Sequence, residues 1–183
     1  DAANLDRATV RDFGREWQRF DQAAVGEAEL SELFQEYFAV FPWHSLPDHA
    51  VGFDAGCGSG RWAALVAPRV GHLNCVDASA DALAVARNKL AGATNVTFFE
   101  ASLDAMPLAD GSMGFGYSLG VLHHLPDPRA GLACVRKLKP GAPMLVDIYY
   151  AFENRPAWFR LLWRASDYLR RAVAKAPFRL KSI

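Results

Sequence analysis

The sequence predicts an α/β domain: a doubly wound, mostly parallel sheet with helices on both faces. Three observations carry that expectation. Short apolar strand-like runs alternate with helical stretches between residues 51 and 148. A glycine-rich turn follows the first strand, and an acidic residue closes the second. The 183 residues are 51% hydrophobic and evenly spread, enough for one core and too few for two comfortable ones.

The elements follow in order. Residues 5–20 read as a helix, with Val10, Phe13, Trp17 and Phe20 at helical spacing. A second helix follows Gly26, its stripe formed by Leu30, Leu33, Phe34, Tyr37, Phe38 and Phe41, and Pro42 ends it. Val51–Ala55 is a short buried strand running into Gly56-Cys57-Gly58-Ser59-Gly60, and residues 61–70 are helical. His72–Val76 is a second strand closing on Asp77, and a helix follows over Ala80–Leu90. Asn95–Phe99, Phe115–Leu119 and Pro143–Ile148 are the remaining strands, with a helix over Arg129–Leu138 before the last. Parallel neighbours need crossovers, and right-handed crossovers place helices on both faces. Three segments result: an N-terminal helical cap (1–47), an α/β core (48–150) and a basic amphipathic helical segment (151–183).

Charge and composition exclude several classes. Net charge is zero, which is unlike the basic surplus of nucleic-acid binders, so no nucleic-acid partner is expected. No apolar run is long enough to cross a membrane. Cys57, Cys75 and Cys134 show neither metal nor disulfide spacing, and the polar N-terminus has no signal-peptide pattern. No metal is expected, and a cytoplasmic setting is. The chain opens on Asp1 rather than Met and ends without closing a pattern, so a longer parent polypeptide is expected.

The most informative stretch is Val51 to Gly60. Glycines at alternate positions make a tight strand-to-helix turn that a ligand can approach, with N–H groups expected to point outward. A dinucleotide fingerprint needs glycine at its sixth position, where this chain has Arg61, so a pyrophosphate cradle is disfavoured. A ligand carrying a carboxylate and an ammonium fits better. Asp54 is expected to anchor the turn and face the ammonium, the alternative being a local backbone cap. Asp77 is placed to accept from a ribose diol, the alternative being a helix cap, for which Ser79 is better positioned.

These residues carry a resemblance. Asp54-Ala55-Gly56-Cys57-Gly58-Ser59-Gly60 resembles motif I of the class I S-adenosylmethionine-dependent methyltransferases, and Val76-Asp77-Ala78-Ser79 resembles the acidic end of their second strand. Residues 103–112 and 118–128 resemble the loops before and after strand four, and Leu138-Lys139-Pro140-Gly141 resembles the turn entering strand five. In order, these stretches span about residues 50–148. The chain is similar to the methyltransferase-11-type, small-molecule branch that includes quinone-biosynthesis C-methyltransferases. The resemblance implies a Rossmann-like fold and S-adenosyl-L-methionine as cofactor. It implies that Gly56, Cys57, Gly58 and Gly60, with Asp54, surround the methionine moiety, and that Asp77 takes the ribose hydroxyls. It further implies that Ala78 lies against the adenine, Ser102 and Leu103 meet its edge, and Leu119 begins the wall at the sulfonium. Ser102 stands where the family usually has Asp, and Gly114 where an Asp commonly opens strand four. The family's last two strands are not found.

Methyl transfer is an in-line displacement at carbon, for which geometry and desolvation matter most. A general base is needed where the acceptor carries a proton, and His123 and His124 after strand four are candidates, with Tyr149 and its neighbour Tyr150 after strand five. Trp17 and Phe20 suit either a lid or plain packing. The acceptor is expected to be a small molecule, aromatic or lipid-like. Residues 155–183 carry eight Arg or Lys and one Asp. This basic amphipathic segment has three readings: a cover for the acceptor pocket, a membrane-surface contact, or a subunit contact. The competing functions are a methyltransferase-like binding module without turnover and a nicotinamide-dependent oxidoreductase.

Overall fold

The structure, a computed structural model, describes Asn4, Asp6, Val10, Arg11, residues 26–148 and residues 155–174. Trp17, Phe20, Tyr149 and Tyr150 lie outside the described residues. Two compact units divide the chain, Asp1–Ile148 and Tyr149–Ile183.

Five parallel strands form the sheet of the first unit, in the order β3-β2-β1-β4-β5. They are β1 (Val51–Ala55), β2 (His72–Asp77), β3 (Val96–Glu100), β4 (Phe115–Leu119) and β5 (Met144–Asp147). The Rossmann-like α/β expectation is met, with strand edges moved by one residue in places. Strand order reverses between β1 and β4, so the loops leaving those two strands diverge and open a crevice at their carboxyl ends.

One face of the sheet is covered by α1 (Glu27–Tyr37), α2 (Ala63–Val66) and α3 (Ala80–Lys89). Phe34 and Phe38 of α1 stack at 4.4 Å, and Phe38 meets Tyr117 of β4 edge-on at 5.3 Å. Phe41 meets Phe115 at 6.2 Å. The other core, around Phe53, Ala55 and Val76, is closed by Leu103, Met106, Leu122 and Cys134.

Two expected helices are tighter than a regular α-helix. Only Ala63–Val66 of the expected residues 61–70 is α-helical, and Ala67–Arg69 continues as a 3₁₀ turn with Pro68 inside it. Proline supplies no N–H for a continuing α ladder. The expected Arg129–Leu138 helix is one turn, α4 (Pro128–Gly131), followed by 3₁₀ backbone over Leu132–Lys137.

The glycines of the central strands have a steric explanation. Gly52 lies opposite Phe115, and Phe53 opposite Gly116, in the parallel register of β1 and β4. A Cβ on Gly52 would overlap the Phe115 ring, and one on Gly116 would overlap the Phe53 ring. Both rings are fully buried, on opposite faces of the sheet. Each glycine is the space its neighbour's ring needs.

In the second unit, α5 (Ala157–Ala174) is an 18-residue helix. No helix among the described residues is long and apolar enough to cross a membrane.

Candidate functional site

The β1 turn is built around Gly56, whose φ of 85° favours glycine. It directs the chain across the top of the sheet. A Cβ there would stand 2.5 Å from Val121 Cγ2, so the turn also approaches the loop after β4 closely. Gly60 serves packing: a Cβ on it would lie 3.1 Å from Ala86 Cβ and 3.2 Å from Leu90 Cδ1, at the α3 interface.

The turn's amides do not point outward as expected. Gly56 N–H and Cys57 N–H both donate to the Val76 carbonyl, at 2.7 and 3.1 Å, and Gly60 N–H donates to the Cys57 carbonyl at 2.9 Å. Gly58 N–H donates to Asp77 Oδ2 at 2.8 Å. Backbone donors at a buried turn must be bonded somewhere, and the end of β2 supplies the acceptors for Gly56, Cys57 and Gly58. What the turn offers is open backbone surface.

Asp77 therefore has a structural task that sequence reasoning missed. Its second oxygen accepts from Ser79 N–H at 2.9 Å, while Ser79 Oγ caps α3 by accepting from Ala82 N–H at 3.2 Å. The carboxylate ties the turn to the start of α3. Burial raises its pKa above the ordinary carboxylate value, and the N–H groups of Ser79 and Gly58 oppose the rise.

Asp54 is displaced from its expected place. It is 2% exposed and is not on the wall of the crevice. It lies under the turn, where burial pushes its pKa up to about 8. The Tyr117 hydroxyl moderates that rise without an aligned hydrogen bond. Asp54 Oδ2 and Tyr117 Oη have no hydrogen-bond partner among the described residues. A central parallel strand is buried on both faces, so every β1 side chain after Val51 is inside. The Cys57 thiol, beside Cys75 and out of water, is held well above its usual value, which makes it unreactive.

The crevice gathers most of the other predicted residues. Gly56, Cys57, Gly58 and Ser59 form its floor, with Asp77 and Ala78 from the end of β2. Ser102 and Leu103 come from the loop after β3, and Leu119, Val121, His124 and Leu125 from the loop after β4. Ser59 is 1% exposed, and its hydroxyl has no hydrogen-bond partner among the described residues. Ser102 Oγ donates to Asp104 Oδ1, and that bond lowers the Asp104 pKa.

His124 lines the crevice and is exposed, whereas His123 is half-buried and off the wall. Their rings lie 4.2 Å apart. Burial, then the neighbouring His123, hold the His124 pKa below its usual 6.5. Arg61 sits on the wall with its guanidinium 4.2 Å from the centre of the Trp62 ring.

The N-terminal segment reaches this crevice. Asp6 and Val10 line it. Asn4 Nδ2 donates to the Asp127 carbonyl at 2.6 Å, and Asp127 N–H donates to Asn4 Oδ1 at 2.9 Å. The pairing joins residues 123 apart. No local sequence signal announces such a contact.

A family model described as a methyltransferase domain matches residues 53–146, just over half of the chain. The chain belongs to this family. The methyltransferase family uses S-adenosylmethionine as its methyl donor, and the nicotinamide alternative falls with the match. An uncharacterised protein of Synechococcus is 36% identical over 106 residues, covering 52% of this chain and 24% of that protein. The chain thus spans about a quarter of the length of that relative. Solved structures agree in fold. A candidate methyltransferase of Bacillus halodurans superposes with a TM-score of 0.59 at 23% identity, over 77% of this chain and 60% of that one. A SAM-dependent methyltransferase of Aquifex aeolicus gives 0.54 at 17% identity, over 89% and 87%.

Proposed function

We propose that this domain transfers the sulfonium methyl group of S-adenosylmethionine to a small-molecule acceptor. One observation carries the reading: at the switch point of the sheet, an open backbone shelf pinned by Asp77 adjoins an exposed histidine that holds its proton weakly. A Cβ at Gly56 would close that shelf against Val121, so the residue chosen there suits a ligand that touches backbone. Because the amides of Gly56, Cys57, Gly58 and Gly60 are already bonded, the shelf suits an ammonium better than a phosphate.

In this reading the backbone of Gly56, Cys57 and Gly58, with the Ser59 hydroxyl, would hold the methionine end. Asp77 would accept from the ribose hydroxyls with lone pairs not taken by Gly58 and Ser79. Ala78, Ser102 and Leu103 would hold the adenine, and Leu119 to Leu125 would surround the methyl group. Gly60 and Asp54 act from beneath, one by packing α3 and the other by supporting the turn. Bound there, the cofactor supplies an electrophilic methyl group on a good leaving group.

The chain's own residues supply approach geometry and exclusion of water. Where the acceptor carries a proton, a ring nitrogen of His124 takes it. Held below its usual 6.5, the ring is neutral near pH 7, the form that accepts a proton. Asp6 and Val10 on the crevice wall support a cap over it. An aromatic or lipid-like acceptor is favoured by the apolar wall of Val10, Trp62, Val121 and Leu125, and the zero net charge gives no polyanion footprint.

The test is calorimetry with S-adenosylhomocysteine, followed by transfer from methyl-labelled cofactor to a panel of phenols, quinols and amines. Binding by the parent, and loss of more than about tenfold in affinity for Asp77→Ala, are expected. A parent chain that takes up no S-adenosylhomocysteine would sink the proposal.

A further inference from the structure

The C-terminal helix carries an exposed apolar stripe. On α5, Trp158, Leu161, Leu162, Ala165 and Tyr168 share one side at helical spacing. Trp158 is 66% exposed, Leu161 70%, Leu162 62% and Tyr168 76%. Arg164 and Arg170 flank this stripe on either side, and Arg160 lies further round. The guanidinium of Arg170 stands 5.8 Å from the centre of the Trp163 ring and donates to Ser166 Oγ at 3.0 Å. Ser166 Oγ in turn donates to the Trp163 carbonyl at 2.8 Å. Arg155 stands 5.7 Å from the Phe159 ring centre.

Two features select the occupant of the apolar stripe. Charge is the first. Residues 155–183 hold eight Arg or Lys against one Asp, while the rest of the chain holds 12 basic and 19 acidic residues. The basic surplus thus falls in the segment that carries the largest run of exposed apolar side chains among the described residues. Two such helices would repel one another, which disfavours a second copy as the partner. Side-chain chemistry is the second. Leucines and an aromatic on one face, with arginines at the margin and behind, are the set used by helices that lie in the plane of a bilayer surface. The helix is too polar to cross a bilayer.

We propose that α5 docks in the plane of an anionic lipid surface. Trp158, Leu161 and Leu162 enter the boundary between headgroups and acyl chains. Arg164 and Arg170 reach back to lipid phosphates, and Arg160 adds long-range attraction. This inference stands apart from the methyl-transfer reading and holds whether or not the crevice binds its cofactor.

Flotation of the full chain with vesicles tests it, using phosphatidylcholine alone and phosphatidylcholine mixed with phosphatidylglycerol. Binding to the mixed vesicles is expected to exceed binding to the neutral ones by more than about tenfold and to weaken as salt rises. Leu161→Asp with Leu162→Asp, and separately Arg160→Gln with Arg164→Gln, should each lower it by more than about tenfold. Their thermal midpoints should match the parent's, since these side chains are exposed. Equal binding to both vesicle types overturns the proposal. So does loss in the arginine variant alone, which would mark a non-specific basic patch. A lipid-free dimer that the leucine variant dissociates would give the stripe to a second copy and overturn it too.

Discussion

Gly56→Ala perturbs the turn and the crevice together, and its cost can be worked from the structure. The backbone at residue 56 has φ of 85°, a conformation that costs an L-residue roughly 1–2 kcal/mol. The new methyl group would stand 2.5 Å from Val121 Cγ2 and 2.6 Å from Cγ1. Carbon contacts settle near ~3.5 Å, so Val121 must retreat by about 1 Å. Such overpacking costs about 1–3 kcal/mol. The sum, about 2–5 kcal/mol, corresponds to a fall of roughly 4–20 °C in thermal midpoint for a chain of this size. Val121 is on the crevice wall, so affinity for S-adenosylhomocysteine should fall by more than about tenfold as well. Adding Val121→Ala removes both clashing methyls and leaves the backbone strain, so about half of the lost stability should return. Differential scanning calorimetry and isothermal titration read the two quantities. A single variant that melts and binds like the parent refutes the reasoning, and a double variant with no recovery refutes the assignment to Val121.

Three further outcomes are expected. Gly116→Ala should cost about 1–3 kcal/mol by crowding the Phe53 ring, and Phe53→Leu in the same chain should recover part of it in urea unfolding. Asp54 binds its proton more tightly folded than unfolded, so stability should fall as pH rises from about 4 to about 8 and level off above; Asp54→Asn should flatten that slope in thermal midpoints taken across the range. His124→Asn should leave S-adenosylhomocysteine affinity unchanged while lowering turnover of a proton-bearing acceptor by about 10²–10⁴-fold. The parent's rate should rise with pH through a value below 6.5, and that limb should vanish in the variant.

Strand positions were legible because each apolar run is bounded by glycine, proline or an acidic residue, and the β1 turn was legible from its glycine spacing. The direction of its N–H groups was not. That depends on the Val76 carbonyl and the Asp77 carboxylate across the next strand, which spacing does not encode. The place of Asp54 could have been read: a β1 buried on both faces leaves no side of the strand on which a carboxylate could meet a ligand. The helical pattern over residues 129–138 resembled an α-helix because 3₁₀ and α backbones bury apolar residues at similar intervals. The Asn4–Asp127 pairing lay beyond reach, since it joins the two ends of the first unit by one carboxamide.

The exchange of phenylalanine and glycine between the two central strands reaches beyond packing. Sliding β4 by one position along β1 would set ring against ring on one face and leave a void on the other. The pair therefore acts as a two-sided key that admits a single alignment. That alignment sets the height at which residues 56–60 and 120–125 emerge from the sheet, so the two lips of the crevice are levelled by a steric lock in the middle of the fold, well away from anything a ligand would touch.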